Sequence, residues 1–145
     1  MRYLDCARYF GYSVAALSGL GIIGIGSRYL RDPGGAAPTF GVPDPPPASD
    51  PFLLVKGVRD IGTGTIMLTL LINHQRRGTA VALLAASIIP IGDAWIVRSH
   101  GGPVSVAFGI RGATAAAMML GAVALLAQVN PHVDDRPGSL VSGRA

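Results

Sequence analysis

Hydrophobic positions gather into four long stretches separated by polar or proline-rich punctuation. The first, Tyr9 to Ser27, runs 19 residues without a charge. At about 1.5 Å per residue this makes about 28 Å of helix, close to the roughly 30 Å of a bilayer core. The pattern predicts a first membrane-spanning helix over about 9–27. The rival reading is a cleaved signal peptide; the length of the run, Asp5 within the basic leader and the lack of an A-x-A-like site oppose it.

Residues 28–51 differ abruptly. Seven of the chain's 11 prolines lie from Pro33 to Pro51, with Pro45, Pro46 and Pro47 consecutive. A segment so poor in backbone N–H donors cannot complete a hydrogen-bond ladder, so it belongs in water or against protein outside the lipid. It predicts an extended loop, partly polyproline II. Asp50 then Pro51 is a helix start: an acidic N-cap, followed by a proline whose φ is preset for the first turn.

A second helix is predicted over about 52–72, and a third over 79–97 with Thr79 as its cap. A fourth covers 104–129, ended by Asn130-Pro131, with a loose tail over 130–145. Short second and third connections make neighbouring helices antiparallel. The expected fold class is therefore all-α, an integral membrane antiparallel four-helix bundle forming one membrane domain over 1–145. A soluble helical bundle is the alternative, but helices this apolar leave no polar face for water.

Composition agrees. Half of the chain is hydrophobic, 14% is charged, and mean hydropathy is +0.46; ordinary soluble domains carry roughly 25% charge. The net charge of +4 comes from scattered residues rather than a basic stripe, and the few aromatics form no stacking ladder, so nucleic-acid binding is excluded. A single cysteine, Cys6, excludes an internal disulfide and a multi-cysteine metal site. Arg2, Arg8, Arg76, Arg77, Arg136 and Arg144 fall on one side of the expected helices, against Arg28, Arg31 and Arg98 on the other. Positive residues favour the cytoplasmic side, which puts both termini in the cytoplasm and the proline-rich loop outside.

The charges inside the stretches share a depth. Asp60, Asp93 and Arg111 all come out roughly 6 to 12 Å below the surface that carries the proline-rich loop. Lys56 precedes Asp60 by four residues and shares its helical face, with Arg59 one residue around. A charge at a helix centre costs about 2.5 to 3.5 kcal/mol on the insertion scale, and a Leu, Ile, Phe or Val returns only about 0.3 to 0.6. The second helix therefore needs partners from the third and fourth, or a water-filled cavity.

Two readings follow. In one, these charges are an ion-pair clasp holding the helices together. In the other they line a polar pocket for a small lipophilic molecule, with Asp60 and Asp93 as candidate catalytic acid and base, and Lys56, Arg59, His100 and Arg111 as ligand-binding residues. Pro90 leaves the Ala86 carbonyl without its helical bond and bends the third helix just before Asp93. His100 stands at the pocket mouth as a proton shuttle. His74 and His132 fall on the opposite side, so no metal site is assembled, and no cofactor is implied. Gly19 to Gly24 matches a dinucleotide-binding pattern, but inside a membrane-length run, where Gly11, Ala15 and Gly19 suit close helix packing instead.

The run Lys56-Gly57-Val58-Arg59-Asp60-Ile61-Gly62, the run Ile91-Gly92-Asp93-Ala94 and the turn His100-Gly101-Gly102, following a proline-rich first loop, carry a likeness. Over roughly residues 8–128 the chain resembles a family of small membrane proteins known as domain of unknown function 4267. The resemblance implies four membrane helices and a shared polar site at Arg59, Asp60 and Asp93, and no established activity. Arg111 rests on the depth argument alone.

The leading functional expectation is a small polytopic membrane protein whose outer polar pocket binds a lipophilic molecule or assists a partner enzyme. An acid–base enzyme within the membrane, an isomerase or cyclase of lipophilic substrates, is the alternative, and a small four-helix transporter a third. Expected partners are the lipid bilayer, a lipophilic small molecule, and a membrane partner protein or a second copy; nucleic acid is not among them.

Overall fold

The computed structural model describes residues 2–127, and all regular structure among them is helical. The first helix, α1, covers Arg2–Arg31 and so extends past the predicted 9–27 at both ends. Arg28 and Arg31 lie in its last turn, where cations complement the helix dipole.

The proline-rich segment is only partly the extended loop its composition predicts. It opens with a single helical turn, α2, Pro33–Ala36, and a 3-10 turn, Ala37–Phe40. The Asp32 side chain caps α2 by accepting the Gly35 N–H at 2.9 Å, and Pro33 stands where the first turn has no use for an N–H. Gly41, at φ 94, closes the 3-10 turn in the left-handed region. Ala36 and Ala37 are buried in a small cluster with Tyr29 and Leu53, so this half of the segment is docked on the helices. Apart from a turn before Asp50, residues 41–50 carry no regular structure.

Helix α3, Pro51–Ile72, starts as predicted, with Asp50 accepting the Phe52 N–H at 2.9 Å. Helix α4, Arg76–Ser99, begins one turn earlier than expected. Thr79 is not its cap: it lies inside the helix, fully buried, its hydroxyl donating to the Gln75 carbonyl at 2.9 Å. Helix α4 continues through Pro90. The last helical stretch begins as eight π-helical residues, Ser105–Gly112, and continues as α5, Ala113–Leu126. The expected end at Val129, the Asn130-Pro131 stop, His132, Arg136, Arg144 and the loose tail lie outside the described residues.

Close approach of backbones organises the packing. A Cβ added at Gly26 would stand 2.5 Å from the Gly57 carbonyl oxygen, and one at Gly64 would stand 2.5 Å from that of Gly19. These pairs step seven residues forward in α1 as they step seven back in α3, so the seam is antiparallel. Gly11 meets Leu125 and the Gly121 carbonyl of α5 in the same way. The expectation that Gly11, Ala15 and Gly19 serve helix packing holds, since all three are buried.

The interior is built from small residues, with Ala15, Ala80, Ala94, Ala107, Ala115 and Ala122 among the most buried, filled out by Met67, Leu83, Met118 and Leu125. Large apolar side chains point outward: Leu17 is 72% exposed, Phe52 75%, Ile88 68% and Trp95 74%. A monomer in water does not carry such a surface on every long helix. Three helical stretches, Asp5–Arg31, Arg76–Ser99 and Ser105–Leu126, are long and apolar enough to cross a membrane. Helix α3 is not among them, because Lys56, Arg59 and Asp60 interrupt its first half.

Candidate functional site

At the end of the molecule that carries the proline-rich segment, polar side chains from four elements converge. Helix α3 supplies a pair on one of its faces: Lys56 Nζ lies 2.5 Å from Asp60 Oδ2, with the Asp60 side chain 7% exposed. The i,i+4 spacing makes this contact local, so it needs no tertiary partner. The Lys56 ammonium also stands 4.8 Å from the ring centre of Tyr29 in α1 and 6.0 Å from that of Phe40, where ring faces offset part of its desolvation.

The second pair spans elements. Arg111, near the end of the π-helical stretch, donates from Nη1 to Asp93 Oδ2 of α4 at 2.7 Å. Its other terminal nitrogen donates to the Phe40 carbonyl at 2.5 Å, and its guanidinium carbon lies 4.2 Å from the Phe40 ring centre. One arginine therefore binds α4 and clamps the 3-10 turn by both backbone and ring. Its Nε is buried and has no hydrogen-bond partner among the described residues. Glycines seat the turn: Gly102 is buried, and a Cβ there would run into the Gly41 carbonyl and the Val97 side chain.

Both pairs line one cavity of about 250 Å³, whose other walls include Ile22, Ile25, Ile89, Pro90, Thr114 and Met118. Thr39 and Phe40 roof it. A second cavity, about 420 Å³, lies on the far side of Phe40 and Lys56 and is lined by Pro43, Pro46, Phe52, Leu53, Ile96 and His100 among others. Phe40 and Lys56 belong to both walls and so form the partition between them.

Of the residues singled out from the sequence, Lys56, Asp60, Asp93 and Arg111 come together as the depth argument expects. Arg59 does not join them. It is exposed on another face of α3 and lines neither cavity, because one residue along a helix turns the side chain by about 100°. His100 is exposed and lines the second cavity rather than the first, with Nδ1 2.8 Å from the Ile96 carbonyl of its own helix. Pro90 forms part of the wall three residues before Asp93. Tyr29 and Phe40 were not foreseen. A lone aromatic within a proline-rich segment was the available signal for Phe40, since such a side chain is stable only when docked.

The family model described as Domain of unknown function (DUF4267) matches residues 19–126. The chain belongs to this family. No curated protein and no solved structure matches it. The DUF4267 region holds every residue of the polar cluster and both cavities, together with the Gly19–Gly64 and Gly26–Gly57 contacts of the α1–α3 seam. Gly11 and Ala15 fall before its start.

Proposed function

We propose that this DUF4267 protein is an integral membrane protein, an antiparallel four-helix bundle, whose polar cavity binds a small lipophilic molecule. The observation that carries the reading is the cavity itself: two matched ion pairs set among isoleucine, methionine and proline walls. Ligand sites have this character, a mostly apolar concavity with a few convergent polar groups. A clasp alone needs the pairs but no space beside them. The inverted distribution of side chains, small residues inside and large apolar ones outside, supports the membrane setting. In that setting α3 inserts because Asp60 and Lys56 neutralise each other and α1 covers Asp60.

The test is to purify the protein from membranes, extract it with organic solvent and identify retained molecules by mass spectrometry, beside a Thr114→Phe variant that fills the cavity from α5. The parent is expected to hold a defined molecule that the variant loses at equal helix content. An extract of the parent indistinguishable from that of the variant overturns the proposal.

A further inference from the structure

The polar cavity has a neighbour on its apolar side. Ala86 and Ile89 of α4 also line a further pocket of about 290 Å³, a trough between that helix and Thr63, Ile66 and Met67 of α3. Its position follows from how the helices pair. Glycine contacts draw α3 onto α1, and α4 packs mainly on α5, so the facing sides of α3 and α4 are less closely packed. Ala82, Ala85, Ala86 and Ile89 recur at the spacing of one helical face, and three of the four offer only a methyl group to the space. The gap closes towards the α3–α4 turn, where a Cβ at Gly78 would stand 3.3 Å from the Leu70 side chain.

The two spaces differ in chemistry. Both ion pairs lie on the first. The trough has one polar side chain among the described residues, Thr63, and its hydroxyl donates to the Arg59 carbonyl at 2.9 Å. The boundaries of the polar cavity differ as well. On the side of the proline-rich segment stands Phe40, held by Arg111 through backbone and ring. On the trough side stand Ala86, with only a methyl group, and Ile89, whose side chain has no polar contact to break. From Asp93 to Ala82 is eleven residues of α4, about 16 Å of helix, the reach of a dodecyl chain drawn straight.

We infer that the ligand of the polar cavity is an amphiphile with a single unbranched chain, whose polar end lies beside the ion pairs and whose chain runs past Ala86 and Ile89 into the trough. This rests on the reading of the cavity as a ligand site. A space polar at one end and hydrocarbon-lined for the rest suits such a molecule. A helix of a second copy, about 10 Å across with its side chains, can cover the trough's lip but cannot follow the space inward to the ion pairs.

The experiment uses the full chain in a steroid-based detergent, which has no straight chain of its own to compete. Two dodecanol probes carry a photoreactive diazirine, one near the hydroxyl and one near the terminal methyl, and a butanol probe carries the same group. Labelled residues are mapped by peptide mass spectrometry. The hydroxyl-end and butanol probes are expected to label α4 around Pro90 and Asp93, and the methyl-end probe Ile66, Met67, Ala82 and Ala85, with excess unlabelled dodecanol suppressing all three. Ala85→Trp and Thr63→Phe fill the trough from opposite sides. Both should lose the methyl-end labelling at unchanged helix content while the butanol probe still labels the cavity. The parent's labelling map stands as a readout even where a variant does not fold. If no probe gives suppressible labelling of the cavity, it is no ligand site and both proposals fall. If the cavity is labelled but the methyl-end probe marks the outer helix faces evenly, or Ile25 and Ile110 in place of the trough, or trough labelling survives both fillings, the cavity remains a ligand site and the single-chain inference is overturned. A disulfide between two copies formed by Ala85→Cys in a Cys6→Ser background also overturns it, because the trough then belongs to a second chain.

Discussion

Gly26 and Gly24 lie two residues apart in α1, yet the same substitution should act on them oppositely. A Cβ at Gly26 would stand 2.5 Å from the Gly57 carbonyl oxygen and 3.0 Å from Asp60 Cβ, whereas one at Gly24 meets nothing within 4 Å. Alanine is favoured over glycine in a helix interior by about 1 kcal/mol, and that gain applies at both positions. The difference between Gly26→Ala and Gly24→Ala therefore isolates the contact. Because the obstacle is backbone rather than a flexible side-chain end, the helices must separate, and such overpacking costs about 1–3 kcal/mol. Gly24→Ala is expected to be neutral or slightly stabilising, and Gly26→Ala to be less stable than it by that amount. Separation at this level also uncovers Asp60, whose Cβ lies against this point of α1, while the Lys56–Asp60 pair, local to α3, should persist. Reversible unfolding in mixed detergent micelles, followed by helix ellipticity, measures both. Agreement of the two variants within about 0.5 kcal/mol, well under the smallest overpacking cost, would refute backbone contact between α1 and α3 at this point.

The ion pairs should behave as separate pairs. Asp93→Asn and Asp60→Asn are each expected to lower stability, by up to about 3 kcal/mol for a largely buried pair. Arg111→Met should recover part of the first loss and Lys56→Met part of the second; crossed rescue in the same unfolding assay would show that the four charges form a single network. Phe40→Ala should join the two cavities and release one of Arg111's holds, lowering the thermal midpoint, with Phe40→Leu intermediate; an unchanged midpoint in both would mean the turn is not clamped. In a Cys6→Ser background, a cysteine at Ala48 should be labelled on intact cells by an impermeant reagent and one at Asn73 should not. The reverse pattern would overturn the orientation read from the arginines.

Several features were legible because they are decided locally. The Asp50-Pro51 start of α3 needs only a side-chain acceptor and a preset φ, and the structure has it. The Lys56–Asp60 pair follows from four-residue spacing on one helix. Helix ends were less legible. Helix α1 runs on through the Arg28–Arg31 turn, and α4 starts at Arg76, because charged residues at an apolar run's edge do not by themselves end a helix. The docked half of the proline-rich segment was missed for a related reason. Proline content argues against a ladder but not against a single capped turn, and Asp32 with Pro33 makes one.

The sequence by itself determined that the chain is helical and exceptionally apolar, where its polar breaks lie, and that Asp60, Asp93 and Arg111 fall at matching distances from the ends of their helical runs, and the structure has all three on one cavity. These depend on residue type and on rise along a helix, which are one-dimensional properties. Which charges meet was decided by rotation and by neighbours. Arg59 has the depth of Asp60 but another azimuth, and so it stays outside. Arg111 reaches Asp93 only because the π-helical stretch packs on α4, and it reaches Phe40 only because Gly41 and Gly102 let the turn close down beside them. A cavity is the space several elements leave between them, and it is not encoded in any one segment; it exists once tertiary packing has set the distances among them.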